Sequence, residues 1–418
     1  MWTRCEKGGR RLSKQGIREP GTVTVRTVAH QSRRAFLIIV LIAAIPAFLE
    51  GFDSNLYLFG SPIIVEQIHG TAALLATAAS SYAAGIAIFS IVGGYLFDRF
   101  SVKYTVMGSV AFFTLFTLMT GFVNTPAELL GARALVGVGI GVFQPAILAL
   151  MGDIFFETRG RAVSAFAVFF GGGLLVGPYV IAPFLPNYRI PFIISALLAV
   201  IGLIAFQIVL PPVYKKMERH QFGLKGLWNR NVTLLSLSIL FFGIALFGVG
   251  SYYSEYLLKH LGLPSVVGAS IVGMLGLGGF LFAFPIGYFG DRFGRKWGVV
   301  LSAVLVAIGG LGMFSVSSNV ALLVLLTLSF GAGRGIYASL VAALGQDSAR
   351  DAIAGSVTGW LFLIFNAGAF LGGPIFAKLL PLGFPTAGFL TVGVSSVLAL
   401  LFSLLARPIW QSNILVPE

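Results

Sequence analysis

The feature that most constrains this chain is a series of long apolar runs separated by short polar breaks. A helix needs roughly 20 apolar residues to cross a bilayer, and the runs have about that length. Long runs, rather than alternating segments of about ten residues, predict helices and not a β-barrel. The sequence therefore predicts an all-α integral membrane protein with twelve transmembrane helices, at residues 35–63, 72–96, 102–123, 127–151, 161–185, 190–212, 232–258, 265–289, 297–317, 319–345, 353–379 and 383–406.

Composition agrees with this interpretation and narrows the function. Only 10% of the residues are charged, against about 25% in a typical soluble domain. The single cysteine, Cys5, excludes an intramolecular disulfide. We find no Walker loop, no His/Cys cluster with metal-ligand spacing and no Ser/His/Asp arrangement in the sequence. We therefore expect neither an enzyme nor a resident cofactor or metal.

The basic residues are distributed as in a membrane protein and not as in a nucleic-acid-binding protein. The net charge is +13, yet 23 of the 28 Lys and Arg residues fall in the N-terminal tail, the C-terminal tail and alternate loops. Excess positive charge marks the cytoplasmic side, which predicts a cytoplasmic-membrane protein with both termini in the cytoplasm and no nucleic-acid partner. The predicted organisation is a basic tail (1–34), a six-helix bundle (35–212), a cytoplasmic linker (213–231), a second bundle (232–406) and a C-terminal tail (407–418).

The two halves repeat each other. Residues 94–103 read GYLFDRFSVK after the second run, and residues 287–296 read GYFGDRFGRK after the eighth. Their aspartates, Asp98 and Asp291, are 193 residues apart. Three glycines beginning at Gly137 recur 194 residues later, and Gly177-Pro178 recurs after 196 residues at Gly373-Pro374. Repeated halves with a binding site between them are the design of many secondary transporters.

These paired loops resemble the signature of the major facilitator superfamily. The first copy departs from it, since Ser101 and Val102 replace the expected Gly and Arg. The resemblance implies two pseudo-symmetric six-helix bundles around a central cavity lined mainly by helices 1, 4, 7 and 10. The segment EGFDSNLY (50–57) looks like helix 1 of proton-coupled organic-acid symporters, including the aromatic-acid group.

The charges within the predicted spans lie on the helices that the resemblance assigns to the cavity. Glu50 and Asp53 are in helix 1 and Arg133 is in helix 4. A nearby guanidinium favours a charged carboxylate, whereas removal from water favours the neutral acid. We predict that Asp53 and Arg133, with Glu50 on the same face, take up and release a proton. The alternative is a permanent ion pair that only fixes helix packing.

Several residues are candidates for binding substrate. Arg334, near the middle of helix 10, suits bidentate capture of a carboxylate or phosphate and favours an anion; alternatively it pairs with Glu50 or Asp53. Tyr252, Tyr253 and Glu255 resemble the outer gate of sugar porters, although an interfacial aromatic belt explains the tyrosines as well. Other candidate lining residues are Gln144, Tyr82, Trp360 and Asn366.

The loops that resemble the family signature are predicted to switch the conformation. In the family, the aspartates corresponding to Asp98 and Asp291 lock the inner ends of the bundles by meeting helix N-termini and basic residues. Here the targets would be residues 351–355 and 160–161. The predicted switch residues are Gly94, Asp98, Arg99, Lys103, Gly287, Asp291, Arg292, Gly294, Arg295 and Lys296, with Asp153, Glu157, Arg159 and Arg161 after helix 4.

Together these features predict a secondary active transporter that works by alternating access. We expect a monomer in the bilayer that symports a small organic anion or related metabolite with protons as the coupling ion. A proton-coupled sugar porter or a drug or metabolite antiporter is the alternative, since Gly173 and Gly177-Pro178 partly match a helix 5 motif of drug antiporters.

Overall fold

The computed structural model describes residues 33–99, 102–154, 159–209, 229–316, 319–348 and 354–407. Almost every described residue is helical. The first half contains α1 (Arg33–Gln67), α2 (Ala72–Arg99), α3 (Val102–Thr120), α4 (Pro126–Ile154), α5 (Arg159–Ile181) and α6 (Arg189–Val209). A 3₁₀ turn at Ala182–Phe184 continues α5.

The second half repeats this order. It contains α7 (Arg230–Glu255), α8 (Ser265–Phe293), α9 (Arg295–Gly312), α10 (Val320–Asp347) and α11 (Ala354–Leu379), then α12 (Phe384–Gly388) and α13 (Val394–Leu405). A π turn at Phe389–Gly393 joins α12 to α13 into one twelfth span, and another at Tyr256–His260 extends α7. A 3₁₀ turn at Leu380–Leu382 follows α11.

Local sequence explains where several helices begin and end. Asn229 and Asn319 precede α7 and α10, and each side chain accepts a hydrogen bond from the third following backbone N–H. Such caps satisfy donors that the first helical turn leaves free. Gly294 ends α8 with a φ of 101°, a conformation that favours glycine because it has no Cβ.

Matching helix pairs build the two bundles. α1 packs on α5 as α7 packs on α11, and α2 packs on α4 as α8 packs on α10. Glycines permit these approaches, because a Cβ at Gly177 would collide with the Phe52 carbonyl, as one at Gly372 would with that of Ile244. The glycine equivalent to Gly177 is therefore Gly372, 195 residues on, and not Gly373 as the sequence repeat suggested, because Gly373 faces α2 instead.

The bundles meet along two helix pairs, α2 with α11 and α5 with α8. Ser80 Oγ donates to the Phe370 carbonyl at 2.7 Å, and Gly276 lies against the backbone of Leu175. We call the end that carries the connections 68–71 and 261–264 the tail-distal end, and the opposite one the tail-proximal end. The contacts described between the bundles run from mid-depth to the tail-distal end.

These observations confirm the predicted fold class. Among the described residues, ten helical segments are long and apolar enough to cross a membrane, and α1 and α3 complete the twelve. Side chains such as Ile208 and Ile201 on α6, 78% and 64% exposed, give the outer surface the apolar character that lipid requires.

Candidate functional site

Asp53 and Arg133 meet in the interior of the first bundle. Asp53 Oδ2 lies 3.9 Å from Arg133 Nη1, and their side chains are 1% and 4% exposed. The distance is too long for a hydrogen bond, so the two charges attract each other without a bonded geometry. Because no hydrogen bond joins this pair, one of the two charges can change partner.

Aromatic rings hold the Arg133 guanidinium in place. Its Cζ lies 3.9 Å from the ring centroid of Tyr57 and 4.8 Å from that of Tyr82. Tyr57 follows Asp53 by one helical turn, so both project from the same face of α1. The rings stabilise the cation through cation–π contacts, so the charge of Arg133 does not depend on Asp53 alone.

Glu50 lies one turn before Asp53 and has a neutral partner. Gln144 Nε2 on α4 donates to Glu50 Oε1 at 2.7 Å, and the acid is 2% exposed. The two carboxylates are close enough to interact electrostatically. Two acids and one arginine thus share a buried site between α1 and α4, where holding both acids charged is costly.

The site leaves many polar atoms without hydrogen bonds. Among the described residues, both oxygens of Asp53, Glu50 Oε2, and Nε and Nη1 of Arg133 have no hydrogen-bond partner. The Thr117 hydroxyl on α3 faces Asp53 without completing a hydrogen bond. Buried polar groups are nearly always paired, so this concentration is typical of a site that binds protons or a ligand.

Arg334 lies at the interface on the side of the second bundle. It is half-buried on α10 and close enough to Tyr82 for electrostatic interaction. Within the described part of the chain, no carboxylate lies at ion-pair distance from its guanidinium. The predicted alternative, a fixed pair with Glu50 or Asp53, is not formed in this structure.

One aromatic pair crosses the interface beside these charges. The rings of Tyr82 on α2 and Phe247 on α7 are stacked, with centroids 6.4 Å apart and planes inclined by 30°. Phe365 on α11 packs edge-on against Phe247 at 6.4 Å. Tyr82 therefore touches Arg133 in its own bundle and Phe247 in the other.

The tyrosines near the end of α7 close the tail-distal side. The Tyr252 hydroxyl donates to the Ala72 carbonyl of the first bundle at 3.0 Å, and Lys259 pairs with Glu66 at 2.8 Å. Tyr253 hydrogen-bonds Thr327 inside the second bundle. Both tyrosines are fully buried, so neither belongs to a lipid-facing belt. Glu255 is partly buried, and its Oε2 has no hydrogen-bond partner among the described residues.

Two other candidates lie within the second bundle. Trp360 Nε1 donates to Ser236 Oγ at 3.0 Å, tying α11 to α7. The Asn366 side chain donates to the Phe362 carbonyl of its own helix at 2.8 Å. Their role in substrate binding stays a prediction.

The predicted switch residues are only partly described. Arg295 Nη1 donates to Asp347 at 2.6 Å, Lys103 Nζ donates to the Gln207 carbonyl at 2.8 Å, and Asp291 and Arg292 are exposed. Gly287 faces Ile336, and Lys296 lies over the Trp297 ring at 5.3 Å. The described part leaves out the surroundings of Gly94, the side chains of Asp98, Arg99, Asp153, Arg159 and Arg161, the whole of Glu157 and residues 351–353.

Sequence reasoning missed three residues at this site, namely Tyr57, Thr117 and Phe247. The four-residue spacing from Asp53 to Tyr57 was a usable signal, because it places both on one helical face. Nothing in the sequence distinguishes Thr117 or Phe247 from the other hydroxyls and rings of the apolar runs.

Comparison with known proteins identifies the family of this chain. The chain belongs to the Major Facilitator Superfamily, whose family model matches residues 43–283 and 235–414. A solved structure of the nucleoside transporter NupG superposes with a TM-score of 0.73, covering 88% of this chain and 100% of that one at 16% identity. At that identity the likeness establishes the fold alone.

Two relatives by sequence are transporters of organic acids. The gentisate transporter of Corynebacterium glutamicum is 23% identical, over 89% of this chain and 88% of its own length. The gallate transporter of Pseudomonas putida is 26% identical, over 91% of both chains. The protein is therefore a membrane transporter and not an enzyme, as the sequence predicted.

Proposed function

We propose that this protein carries a small aromatic or related organic acid across the cytoplasmic membrane together with protons. The observation that carries the proposal is a pair of buried acids, Glu50 and Asp53, whose oxygens lack hydrogen-bond partners among the described residues. They lie beside Arg133 and opposite Arg334, which has no carboxylate at ion-pair distance in the described part of the chain. The acids supply a proton site in one bundle, and Arg334 supplies an anion site in the other. Gentisate and gallate, named for two relatives, are both aromatic carboxylates.

Alternating access links the two sites. The bundles are in contact at the tail-distal end, where Tyr252 and Lys259 reach the first bundle. The basic tails and loops favour a cytoplasmic tail-proximal end, so this conformation is closed to the outside. A protonated Asp53 releases its hold on Arg133, and the bundles rock to expose the site on the other side.

The experiment is uptake into liposomes that contain the purified protein, with and without an imposed pH gradient. One pH unit corresponds to about 1.4 kcal/mol for each proton, so one coupled proton sustains about tenfold accumulation. We expect gentisate or benzoate to accumulate above the level reached in protein-free liposomes when the outside is acidic, because the neutral acids also cross lipid unaided, and a protonophore to abolish this excess. Equal uptake at every gradient would exclude proton coupling, and no uptake of any carboxylate would exclude the substrate class.

A further inference from the structure

The Tyr82–Phe247 pair is the one ring stack described between the bundles, and it lies beside the charged site. Both rings are half-buried, and they come from opposite sides of the interface. Their contact must change when the bundles move relative to each other. A stack at this position is therefore exposed to whatever enters between the bundles.

Two guanidinium groups border this stack. Arg133 lies 4.8 Å from the Tyr82 ring, and Arg334 is within electrostatic reach of the Tyr82 hydroxyl. Phe365 supports Phe247 from the side, and Phe242 stacks on Phe365 at 6.0 Å. The planar ring of a substrate placed beside Phe247 would contact an aromatic surface. A carboxylate on that substrate ring would lie next to a guanidinium group.

The two bundles differ at the position of Phe247. Phe48 and Leu240, 192 residues apart, occupy equivalent places, since their carbonyls face Gly173 and Gly368. The same spacing pairs Phe247 with Asn55, which donates to the Leu174 carbonyl at 2.6 Å. The first bundle thus has a polar residue that binds helices together where the second has a ring facing the interface.

We propose that Phe247 determines specificity for an aromatic ring, which stacks between Tyr82 and Phe247 with its carboxylate directed to Arg334. This inference rests on the proposed function. Contact between two aromatic rings is more favourable than the burial of their apolar area alone would make it, because the negative face of one ring attracts the positive edge of the other. A saturated ring of the same size has no such quadrupole, so Phe247 separates aromatic from alicyclic acids of equal charge.

The test compares benzoate with cyclohexanecarboxylate, which share a carboxylate and ring size. Calorimetry on the purified full chain gives both dissociation constants for the wild type, Phe247→Leu, Phe247→Tyr and Phe241→Leu. Phe241 stacks on Phe402 within the second bundle at 5.8 Å and is the matched control. We expect the wild type to prefer benzoate, and Phe247→Leu to reduce that preference by about three- to tenfold.

Phe247→Tyr and Phe241→Leu should keep the wild-type preference. If Phe247→Leu fails to fold, the two dissociation constants are measured for Phe247→Met instead, since methionine is unbranched and has no ring. The role of Phe247 is overturned if the Leu or Met variant lowers the affinity for both acids by the same factor. It is also overturned if the wild type binds both acids with equal affinity. Both outcomes leave the transport proposal intact. A wild type that binds neither acid and takes up no carboxylate into liposomes overturns the proposed function as well.

Discussion

The two bundles share their backbone packing but differ in what they bury. A Cβ at Gly137 would collide with the Tyr82 carbonyl, and one at Gly331 with that of Leu275, so α4 and α10 approach their neighbours in the same way. Arg133 and Thr327 are separated by the same 194 residues. Thr327 hydrogen-bonds Tyr253, whereas Arg133 has no hydrogen bond at Nε or Nη1 among the described residues.

The buried acid of the first bundle also has no acidic counterpart in the second. Phe52 and Ile244 occupy equivalent places, so the counterpart of Asp53 is Ala245, which is fully buried and apolar. Conversely, the counterpart of Arg334 is Ile140, also fully buried. The repeat thus supplies a common frame, while the buried acids lie in one half and Arg334 lies in the other. The proposed coupling then requires relative motion of the halves.

The largest expected effect is that of Asp53→Asn, which removes the acid but keeps its shape. Accumulation driven by one pH unit, about tenfold for one proton, should disappear, while exchange of labelled for unlabelled substrate continues. Liposome uptake and counterflow measure the two. Glu128→Gln, which neutralises an exposed acid on α4, is the control and should accumulate normally. An Asp53→Asn variant that still accumulates substrate would refute Asp53 as the proton site.

Arg334→Ala should have the next largest effect, on substrate affinity. Losing a hydrogen bond to a charged group costs roughly 1.5–3 kcal/mol, so binding should weaken about 10- to 100-fold. Arg334→Lys should retain part of the affinity, because it keeps the charge without the bidentate geometry. Lys378→Ala, an exposed cation on α11, is the matched control for calorimetry. Unchanged substrate affinity in both Arg334 variants would show that Arg334 does not bind the substrate anion.

The shared frame predicts equal damage from equivalent glycine substitutions. Gly137→Ala and Gly331→Ala should each lower the stability by about 1–3 kcal/mol, because overpacking forces the helices apart. Thermal unfolding in detergent measures this. Gly108→Ala, where a Cβ would meet nothing within 4 Å, should not destabilise the protein. A large difference between the first two variants would show that the bundles do not share one packing.

The smallest expected effects come from removing single hydroxyl groups, and they should differ between a hydroxyl with hydrogen-bond partners and one without. Ser238 in the second bundle hydrogen-bonds Tyr337 and donates to the Ala399 carbonyl, so Ser238→Ala should cost about 1 kcal/mol of stability and leave transport unchanged. Thr117→Val removes a hydroxyl that faces Asp53 and has no hydrogen-bond partner among the described residues. It should shift the pH profile of uptake without a loss of stability. If Ser238→Ala shifted the pH profile of uptake and Thr117→Val only lowered the stability, the proton site would not belong to the first bundle.

Much of the architecture was predictable from the sequence, because apolar runs and basic loops reflect strong physical constraints. The repeat predicted the two bundles, and the resemblance to the superfamily assigned the charged residues of α1, α4 and α10 to the cavity. It erred by one residue at Gly373, since sequence similarity does not reveal which of two adjacent glycines faces a given helix. The polar residues at positions 50, 53, 133 and 334 were visible because charge is rare in membrane spans.

The site's aromatic part was not predictable. The chain has 38 phenylalanines, and only the structure shows that Phe247 meets Tyr82 across the interface. Nor does a sequence indicate that Gln144 donates to Glu50, or that Tyr252 reaches the Ala72 carbonyl. Such contacts depend on how helices and bundles are placed relative to one another, which no local pattern encodes.

The most direct test of the central claim follows protons and substrate together. Liposomes with the wild-type protein and a pH-sensitive dye outside receive gentisate or benzoate with no imposed gradient. The account predicts that the outside becomes more alkaline as substrate enters, and that Asp53→Asn abolishes this signal while substrate still exchanges. Substrate entry with no proton movement in the wild type would contradict the account.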